Sequence, residues 1–522
     1  MSGLDTYKTP LDGRYASEEA KKLFSQRNRH STWRQLWLWL AESEKELGID
    51  GISEEALEQM RAHLTLTDED FKVAAVEEKR RRHDVILTYS VADVHAFGQV
   101  APAAAGIIHL GATSCFVTDN AELILMRNAM DLLLPKLAKV IHNLSQFALQ
   151  HKELATLGFT HYQAAQLITV GRRAAQWIQD LCMDLKNIET ARERLAFRGA
   201  MGTTGTQASF MEIFQGDGAK IDKLNDLLCE KAGFPKTYDI STQTYTRKTD
   251  LDVSNAICGL GATAMHITND IRHLAHSKEM EEPFEKDQIG SSAIWHTSSH
   301  WMLAQAALTS DQDTFQRADT TTRNPMRSER ICSLGRKLRS LPANFADTYA
   351  DQWFERTLDD SAIRRIDIPE MFLLAEVVLT CLDAILLGLD NVTSGLVIYP
   401  EVIRAHVMEE LPFMATENII MKIVAKGGSR QEAHEEIRVL SHQAADVVKK
   451  QGGKNDLIER IKATEYFKPV WDSIDQLLDP NLFTGRSATM VQRYCGEGGP
   501  VQEQIKPYAE YIKNTGAAEL NV

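Results

Sequence analysis

Residues 121–150 read AELILMRNAMDLLLPKLAKVIHNLSQFALQ, a stretch whose apolar side chains recur with helical spacing. This spacing predicts one long helix from Leu123 to Phe147, with a kink at Pro135 because proline removes a backbone donor inside a helix. A helix of this length is longer than the average helix of a globular protein. The stretch therefore favours a fold built from long, packed helices.

Further helices are predicted on both sides of this stretch. Residues 32–47 have the apolar stripe of an amphipathic helix, and residues 166–197 and 251–275 are two more long helical candidates. Residues 366–389 are apolar on nearly every face, which predicts a helix buried among other helices. Strand signals are sparse, and the best one is short, at residues 392–400. The sequence predicts an all-α protein with a central bundle of long helices.

Two breaks in this pattern divide the chain into three helical domains. A Gly/Thr/Ser-rich segment at 107–120 ends a set of shorter helices, and a turn-rich connection near 388–400 follows the most apolar helix. Charged helices of ordinary length, such as 430–450, come after it. We expect an N-terminal domain at 1–112, the long-helix bundle at 113–390 and a C-terminal domain at 391–522.

Composition excludes several classes of protein. The chain has 522 residues, 43% of them hydrophobic, and a formal net charge of −14, which argues against disorder and against a general nucleic-acid binder. Seven scattered cysteines without a CxxC pair fit a reducing compartment, and no targeting peptide is recognisable at the N-terminus. The most apolar stretch contains Glu376 and Asp383, which is unlike a membrane span. We expect a cytoplasmic protein.

Common cofactor and metal motifs find little support. GLGATA at 259–264 lies inside a helical stretch, whereas the dinucleotide fingerprint needs a preceding strand. His296 and His300 have chelating spacing but no third ligand beside them. The chain contains no HExxH, GxSxG or Walker A motif. We expect neither a cofactor nor a bound metal.

Seven short polar loops carry most of the chemistry-bearing residues. A site built from them would be cationic and rich in hydroxyl and amide groups, with histidine available to carry a proton. That composition suits acid–base catalysis on a phosphorylated or multi-carboxylate substrate. The loops are RRRHDV (80–85), LGFTHYQAAQ (157–166), GTTGTQ (202–207), STQTYTRK (241–248), IGSSA (289–293), RNPMRSER (323–330) and QWFERTLDDSAIRR (352–365).

These loops resemble those of the eukaryotic-type adenylosuccinate lyases, a family of the fumarase/aspartase superfamily. The matching strings include AAGIIHLGATSC, TLGFTHYQ, GTTGTQASF, EMEEPFEKDQIGSSA, RNPMRSER, QWFERTLDDS and ELPFMATENIIM, spread over nearly the whole chain. The resemblance implies three domains, a long-helix bundle and a homotetramer whose active sites combine loops from several subunits. It also implies elimination of fumarate from adenylosuccinate, giving AMP, and from SAICAR, giving AICAR, in purine biosynthesis.

The resemblance also assigns roles to individual residues. His161, in the THYQ motif, corresponds to the catalytic acid, and Ser291, the first serine of the Gly-Ser-Ser loop, to the catalytic base. A serine hydroxyl needs surrounding donors and cations to act as a base. Substrate-binding positions of the family fall on Arg14, Tyr15, Arg82, His83, Asp84, Thr113, Ser114, Gln243, Arg330, Arg356, Ser361 and Arg365.

The chain departs from the family pattern at two active-site strings. Residues 294–322 interrupt a signature loop that normally continues from GSSA through Met-Pro-Tyr-Lys into RNP, and no lysine follows Ser291 before Lys337. Residues 86–93 lengthen the connection after RRRHDV and lack its usual histidine. Ala164 stands where the family has proline. A loop insertion is tolerated by a fold, but misplacement on the order of 1 Å in a catalytic loop costs about 10²-fold in rate.

Three alternatives remain open. In the first alternative, the departures are real and give a catalytically impaired homologue that keeps the fold and nucleotide binding. In the second, they are artefacts of a mis-predicted gene. The third alternative is another lyase of the superfamily, acting on argininosuccinate or adding water to fumarate. The strings ERTLDDS and PFMATENIIM argue against this third alternative.

Overall fold

The computed structural model describes residues 5–81, 85–283, 324–387 and 395–516. Its α-helices are Glu18–Leu23 (α1), Gln26–Glu46 (α2), Glu54–Ala62 (α3), Asp68–Arg81 (α4), Val85–Val100 (α5), Ser114–Gln150 (α6), Val170–Glu193 (α7), Ala208–Ile213 (α8), Gly218–Ala232 (α9), Lys248–His276 (α10), Met326–Leu338 (α11), Leu341–Ala350 (α12), Asp360–Leu387 (α13), Pro400–Met414 (α14), Thr416–Ala425 (α15), Arg430–Gln451 (α16), Leu457–Ala463 (α17), Trp471–Ile474 (α18), Ser487–Cys495 (α19), Pro500–Ile505 (α20) and Ala509–Asn514 (α21).

The remaining elements are short. The 3₁₀ turns are Pro102–Ala104, Glu465–Val470, Asp475–Leu478, Pro480–Phe483 and Lys506–Tyr508, and a π turn lies at Leu11–Tyr15. The strands are Ala155–Thr160 (β1), Gln163–Thr169 (β2), Met280–Glu281 (β3) and Val397–Ile398 (β4). They form two antiparallel pairs, β1 with β2 and β3 with β4.

The predicted bundle of long helices is confirmed. Helix α6 runs for 37 residues through Pro135, with α7 and α13 packed against it, while α10 packs on α7 and α13, and α11 packs on α10 and α13, within the same continuous apolar core. Helix α13 is buried along most of its length, as its apolar sequence predicts. Gly261, in GLGATA, lies where α10 meets α11, and a Cβ there would be 3.0 Å from Leu338 Cδ2. The small residues of that string therefore serve close helix packing.

One predicted helix begins later than its sequence pattern indicates. Residues 163–169, at the start of the predicted helix 166–197, form strand β2 and pair with β1, for example Ile168 with Thr156. The helix begins at Val170, where the Thr169 hydroxyl accepts a hydrogen bond from Arg172 N at 3.1 Å. The helix ends at Glu193, and the following Arg194 N donates a last hydrogen bond back to Thr190 O at 3.1 Å. A hairpin therefore stands where the sequence predicts the first helical turn.

The described residues contain three large apolar clusters and a small one at Ala74, Ala92 and Ala96. The largest contains the N-terminal helices and the bundle, together with Val491 and Ile505 from the chain end, so α19 and α20 return to the bundle. A second cluster lies within 415–474, and a third joins the β1–β2 hairpin to α14. The boundaries at 112/113 and 390/391 stay a prediction.

Among the residues that the structure describes, none of the helices is at once long and apolar enough to cross a bilayer. The seven cysteines are all buried and unpaired.

Candidate active site

Three segments that are distant in the sequence meet at one end of the bundle. They are the start of α6, the loop at 241–247 and the loop that leads into α13. Arg356 Nη1 donates hydrogen bonds to Gln243 Oε1 at 2.9 Å and to Cys115 Sγ at 2.8 Å. We refer to Ser114, Cys115, Gln243 and Arg356 as the Arg356 cluster. It brings together three of the predicted substrate-binding residues.

Arg356 has no carboxylate within 4.0 Å anywhere in the described parts of the chain, so its charge is not neutralised there. Among the described residues, its Nε atom is buried without a hydrogen-bond partner, and so are the hydroxyls of Ser114 and Ser361. A buried polar atom left unpaired costs about 1–3 kcal/mol. This combination of an unneutralised cation and unsatisfied hydroxyls is typical of a site that binds an anion.

A network of buried ion pairs lies next to the cluster. Asp119 accepts from Arg247 Nη1 at 3.0 Å and Nη2 at 3.2 Å, and Arg247 Nε donates to Asp360 Oδ2 at 2.6 Å. Burial would raise the pKa of Asp119, but attraction by Arg247, Arg364 and Arg198 lowers it below its usual value. Each residue of this network comes from a different segment: Asp119 from α6, Arg247 from the 241–247 loop and Asp360 from α13. The network therefore fixes the three segments that carry the Arg356 cluster.

Two of the predicted polar loops are also joined to each other. Arg198 is fully buried and donates from Nη2 to Gly202 O at 2.8 Å and to Thr242 O at 3.3 Å. Gly205 has a φ of +82°, and a Cβ there would lie 2.0 Å from Ser241 O. Only glycine allows this approach of the 202–207 loop to the 241–248 loop.

His161 lies elsewhere, at the tip of the β1–β2 hairpin. Strand residues Thr160 and Gln163 pair directly, which leaves His161 and Tyr162 as a two-residue turn. Their φ angles are +54° and +59°. Tight hairpin turns need positive φ at both central positions and usually take Asn or Gly there, whereas other residues cost about 1–2 kcal/mol each. This strained turn presents the exposed His161 side chain to solvent, and such strain concentrates at functional sites.

Tyr15 and Arg330 form a second contact between predicted site residues. The Arg330 guanidinium lies over the Tyr15 ring, 5.2 Å from its centroid. Arg14 precedes Tyr15 in the π turn and is exposed. In the Arg356 region, Arg365 Nε donates to Ser361 O at 3.1 Å, and Thr113 is the residue before the first turn of α6.

Within one chain the hairpin and the Arg356 cluster lie at opposite ends of the bundle. The Tyr162 ring is 5.7 Å from the His273 ring near the end of α10, whereas Gln243 lies just before the start of that helix. His273 lies 25 positions after Lys248 on this helix, which corresponds to about 38 Å at 1.5 Å per residue. Arg330 also belongs to the far end, since its neighbour Glu329 is 3.8 Å from Arg272. One chain alone therefore does not bring His161 to Arg356.

Several predicted features lie outside the described residues. They are Arg82, His83, Asp84, Ser291, the 294–322 segment with its His296 and His300, and the side chains of 86–91. The flanks of the signature loop are described: Glu282 accepts from Ser328 N at 2.7 Å and from Arg327 N at 3.0 Å, and Arg327 Nη1 donates to Pro283 O at 2.7 Å. The chain on the two sides of 284–323 is therefore held together.

Sequence reasoning missed the residues that organise the Arg356 cluster. Cys115 lies in the quoted string ATSC, but a lone cysteine gave no sign of a polar contact. Asp119 and Asp360 look like ordinary acidic residues, and Arg247 was one cation among many. The spacing of charges along the chain does not predict these ion pairs, because the two residues of each pair are more than 100 residues apart in the sequence.

Comparison with known families and proteins gives consistent results. The chain matches the family described as "Lyase" over residues 12–296, which is more than half of its length, and "Adenylosuccinate lyase C-terminus" over residues 412–494. It is 50% identical over 522 residues to adenylosuccinate lyase from Saccharomyces cerevisiae, with 100% of both chains covered. It is 52% identical over 512 residues to that of Schizosaccharomyces pombe, with 98% of each chain covered.

Solved structures with low identity share the fold. A 3-carboxy-cis,cis-muconate lactonizing enzyme from Pseudomonas putida superposes with a TM-score of 0.74 at 18% identity, covering 96% of this chain and 99% of that one. A fumarate lyase from Mesorhizobium sp. BNC1 gives 0.72 at 20% identity, covering 94% and 100%. These two similarities establish the all-α lyase fold. Because relatives that are 50% and 52% identical cover nearly the whole chain, the chain belongs to the adenylosuccinate lyase family.

Proposed function

We propose that this chain catalyses the β-elimination of fumarate from adenylosuccinate, giving AMP, and from SAICAR, giving AICAR. The observation that carries the proposal is the Arg356 cluster: within the described residues, its guanidinium has no carboxylate partner and lies beside buried hydroxyls that make no hydrogen bond. Both substrates are anionic, with a phosphate and a succinyl group. The full-length similarity to adenylosuccinate lyases supports this choice among the possible anions.

The elimination needs an acid and a base on opposite sides of the substrate. We assign the acid to His161, which would protonate the departing nitrogen, and the base to Ser291, which would remove the proton next to the carboxylate. Each such group contributes about 10²–10⁴-fold to the rate. The exposed position of His161 in a strained turn supports a direct role in the reaction. No cofactor is needed for this chemistry.

The remaining predicted residues bind substrate. Arg356, with Ser114 and Gln243 beside it, would hold anionic oxygens through the planar fork of its guanidinium. Tyr15 and Arg330, which contact each other, would form a further part of the site. The other substrate-binding assignments are Arg14, Arg82, His83, Asp84, Thr113, Ser361 and Arg365.

A complete site requires more than one copy of the chain. The separation of about 38 Å between the hairpin end and the Arg356 end of α10 supports this requirement. We propose a homotetramer with shared active sites, three helical domains at 1–112, 113–390 and 391–522, and a cytoplasmic location. The seven buried, unpaired cysteines support a reducing compartment.

The test is turnover of adenylosuccinate and SAICAR by the purified chain, followed by ultraviolet absorbance, with AMP binding measured in parallel by calorimetry. Fumarate release from both substrates is the expected result. AMP binding without turnover would instead identify an impaired homologue, and activity only on argininosuccinate or in fumarate hydration would identify another lyase of the superfamily.

A second variant addresses the interrupted loop. Replacing 294–322 with Met-Pro-Tyr-Lys restores the family pattern, and sequencing the transcript across codons 84–94 and 293–323 shows whether the extra residues are encoded. Because the segment interrupts the catalytic loop, we expect the replacement to raise kcat. A replacement variant that is no faster than the natural chain would show that the segment does not impair catalysis.

A further inference from the structure

Cys115 occupies an unusual position for a buried thiol. It lies in the first turn of α6 and is 0% exposed, yet its Sγ atom contacts two polar groups of the candidate site. Sγ accepts a hydrogen bond from Arg356 Nη1 at 2.8 Å and lies 4.0 Å from Gln243 Oε1, to which the thiol donates. The thiol and the amide oxygen thus share one nitrogen of the Arg356 guanidinium.

The thiol is neutral in this setting. Burial raises its pKa, and the nearby Asp119 raises it further, although Arg356, Arg198 and Arg247 act in the opposite direction. A neutral acceptor orients a guanidinium without cancelling its charge, whereas a carboxylate at the same place would form an ion pair with it. Both groups that hold Arg356 Nη1, the thiol and the amide of Gln243, are of this neutral kind.

The buried hydroxyl of Ser114 is an independent sign of a ligand beside the thiol. Ser114 is 6% exposed, and its Oγ atom has no hydrogen-bond partner among the residues that the structure describes. It directly precedes Cys115 in the first turn of α6. An unpaired buried hydroxyl next to the residue that holds Arg356 is a group that a bound ligand would satisfy.

We propose that Cys115 is a positioning residue of the active site, whose thiol holds the Arg356 guanidinium ready for the anionic substrate without neutralising it. The proposal rests on the proposed function for the identity of the substrate. It predicts that the residue at 115 must accept a hydrogen bond and must be uncharged. Serine meets both conditions, alanine fails the first, and aspartate fails the second.

The experiment measures AMP affinity by calorimetry and KM and kcat for adenylosuccinate in Cys115→Ser, Cys115→Ala and Cys115→Asp of the full chain. A hydrogen bond to a charged group contributes enough that its loss weakens binding about tenfold. We expect Cys115→Ala to weaken AMP binding and raise KM about tenfold with a smaller change in kcat. Cys115→Ser should restore both values to within about threefold, and Cys115→Asp should bind AMP most weakly.

Cys258→Ala is the matched control, because Cys258 is also a buried cysteine in the bundle but lies on α10 within the apolar core. It should leave AMP affinity and KM unchanged. If Cys115→Ala does not fold, the contrast between Cys115→Ser and Cys115→Asp decides the question. Equal AMP affinity in all folded Cys115 variants would overturn the proposal. If the natural chain binds AMP normally but shows no turnover, only the lyase function is overturned. The comparison of AMP affinities among the Cys115 variants still measures the role of Cys115.

Discussion

Replacing Asp119 with asparagine tests whether the buried ion pairs hold the candidate site together. Asp119 is 2% exposed and accepts two hydrogen bonds from Arg247 and one from Tyr245 N at 3.0 Å. The amide of asparagine carries no charge and must present its NH₂ group to at least one of these donors. Of the carboxylates in the described residues, Arg247 would then keep only Asp360 as a partner.

The expected loss of stability is large. Removing one partner of a buried ion pair costs about 3–5 kcal/mol. For a cooperative unit the size of the helix bundle, this lowers the melting temperature by roughly 6–10 °C. Thermal unfolding followed by tryptophan fluorescence measures the change. Asp239→Asn removes an exposed partner of Lys236 and is the matched control, for which little change is expected.

The pH dependence of this difference has a definite sign. The folded-state pKa of Asp119 is lowered below the usual 3.8, so its carboxylate stabilises the fold above that pH. The stabilisation is lost as the pH falls through the lowered pKa. The melting difference between the natural chain and Asp119→Asn should therefore be full at neutral pH and shrink below about pH 4. A variant that melts within about 1 °C of the natural chain at pH 7 would refute this account of the network.

Three other substitutions have clear expected outcomes. Glu44→Gln should raise stability at pH 7 by up to roughly 3 kcal/mol, because burial raises the pKa of Glu44 from 4.5 to about 9 and neither of its carboxyl oxygens has a partner in the described part of the chain. This stabilisation should fade toward pH 5, and melting curves with Glu46→Gln as the exposed control measure it. His161→Gln should lower kcat by about 10²–10⁴-fold while AMP affinity stays unchanged, and an active His161→Gln would remove its assignment as the acid. Arg356→Lys should raise KM for adenylosuccinate because lysine lacks the planar fork, and an unchanged KM and kcat would contradict that role.

The helical framework followed from the sequence because it depends on local periodicity. The apolar spacing in 121–150, 251–275 and 366–389 correctly predicts the existence of α6, α10 and α13, although α6 begins nine residues and α13 six residues earlier than that spacing indicates. The β1–β2 hairpin was wrongly predicted as helix at 166–169, since short strands have weak sequence signals and QAAQLIT also fits a helix. Strand pairing across a two-residue turn decides that segment, and pairing is not a local property.

The site residues followed from the sequence only in part. The resemblance selected Gln243 and Arg356, and the structure places them in contact. It gave no indication that Cys115 contacts both of them or that Asp119 supports the cluster, because these contacts depend on how α6 and α13 pack. The division of the site between two ends of the bundle likewise depends on helix length and packing direction, which no motif encodes.

Mixing two inactive variants tests most directly whether the active site is shared between chains. His161→Gln and Arg356→Ala alter opposite ends of the bundle, so a reassembled mixture should contain sites with an intact His161 from one chain and an intact Arg356 from another. Random assortment in a homotetramer predicts recovery of roughly a quarter of the natural activity. Gln243→Ala mixed with Arg356→Ala is the control and should stay inactive, because both residues belong to the Arg356 cluster. The shared site would be contradicted if the mixture of His161→Gln and Arg356→Ala is no more active than either variant alone while the natural chain is active.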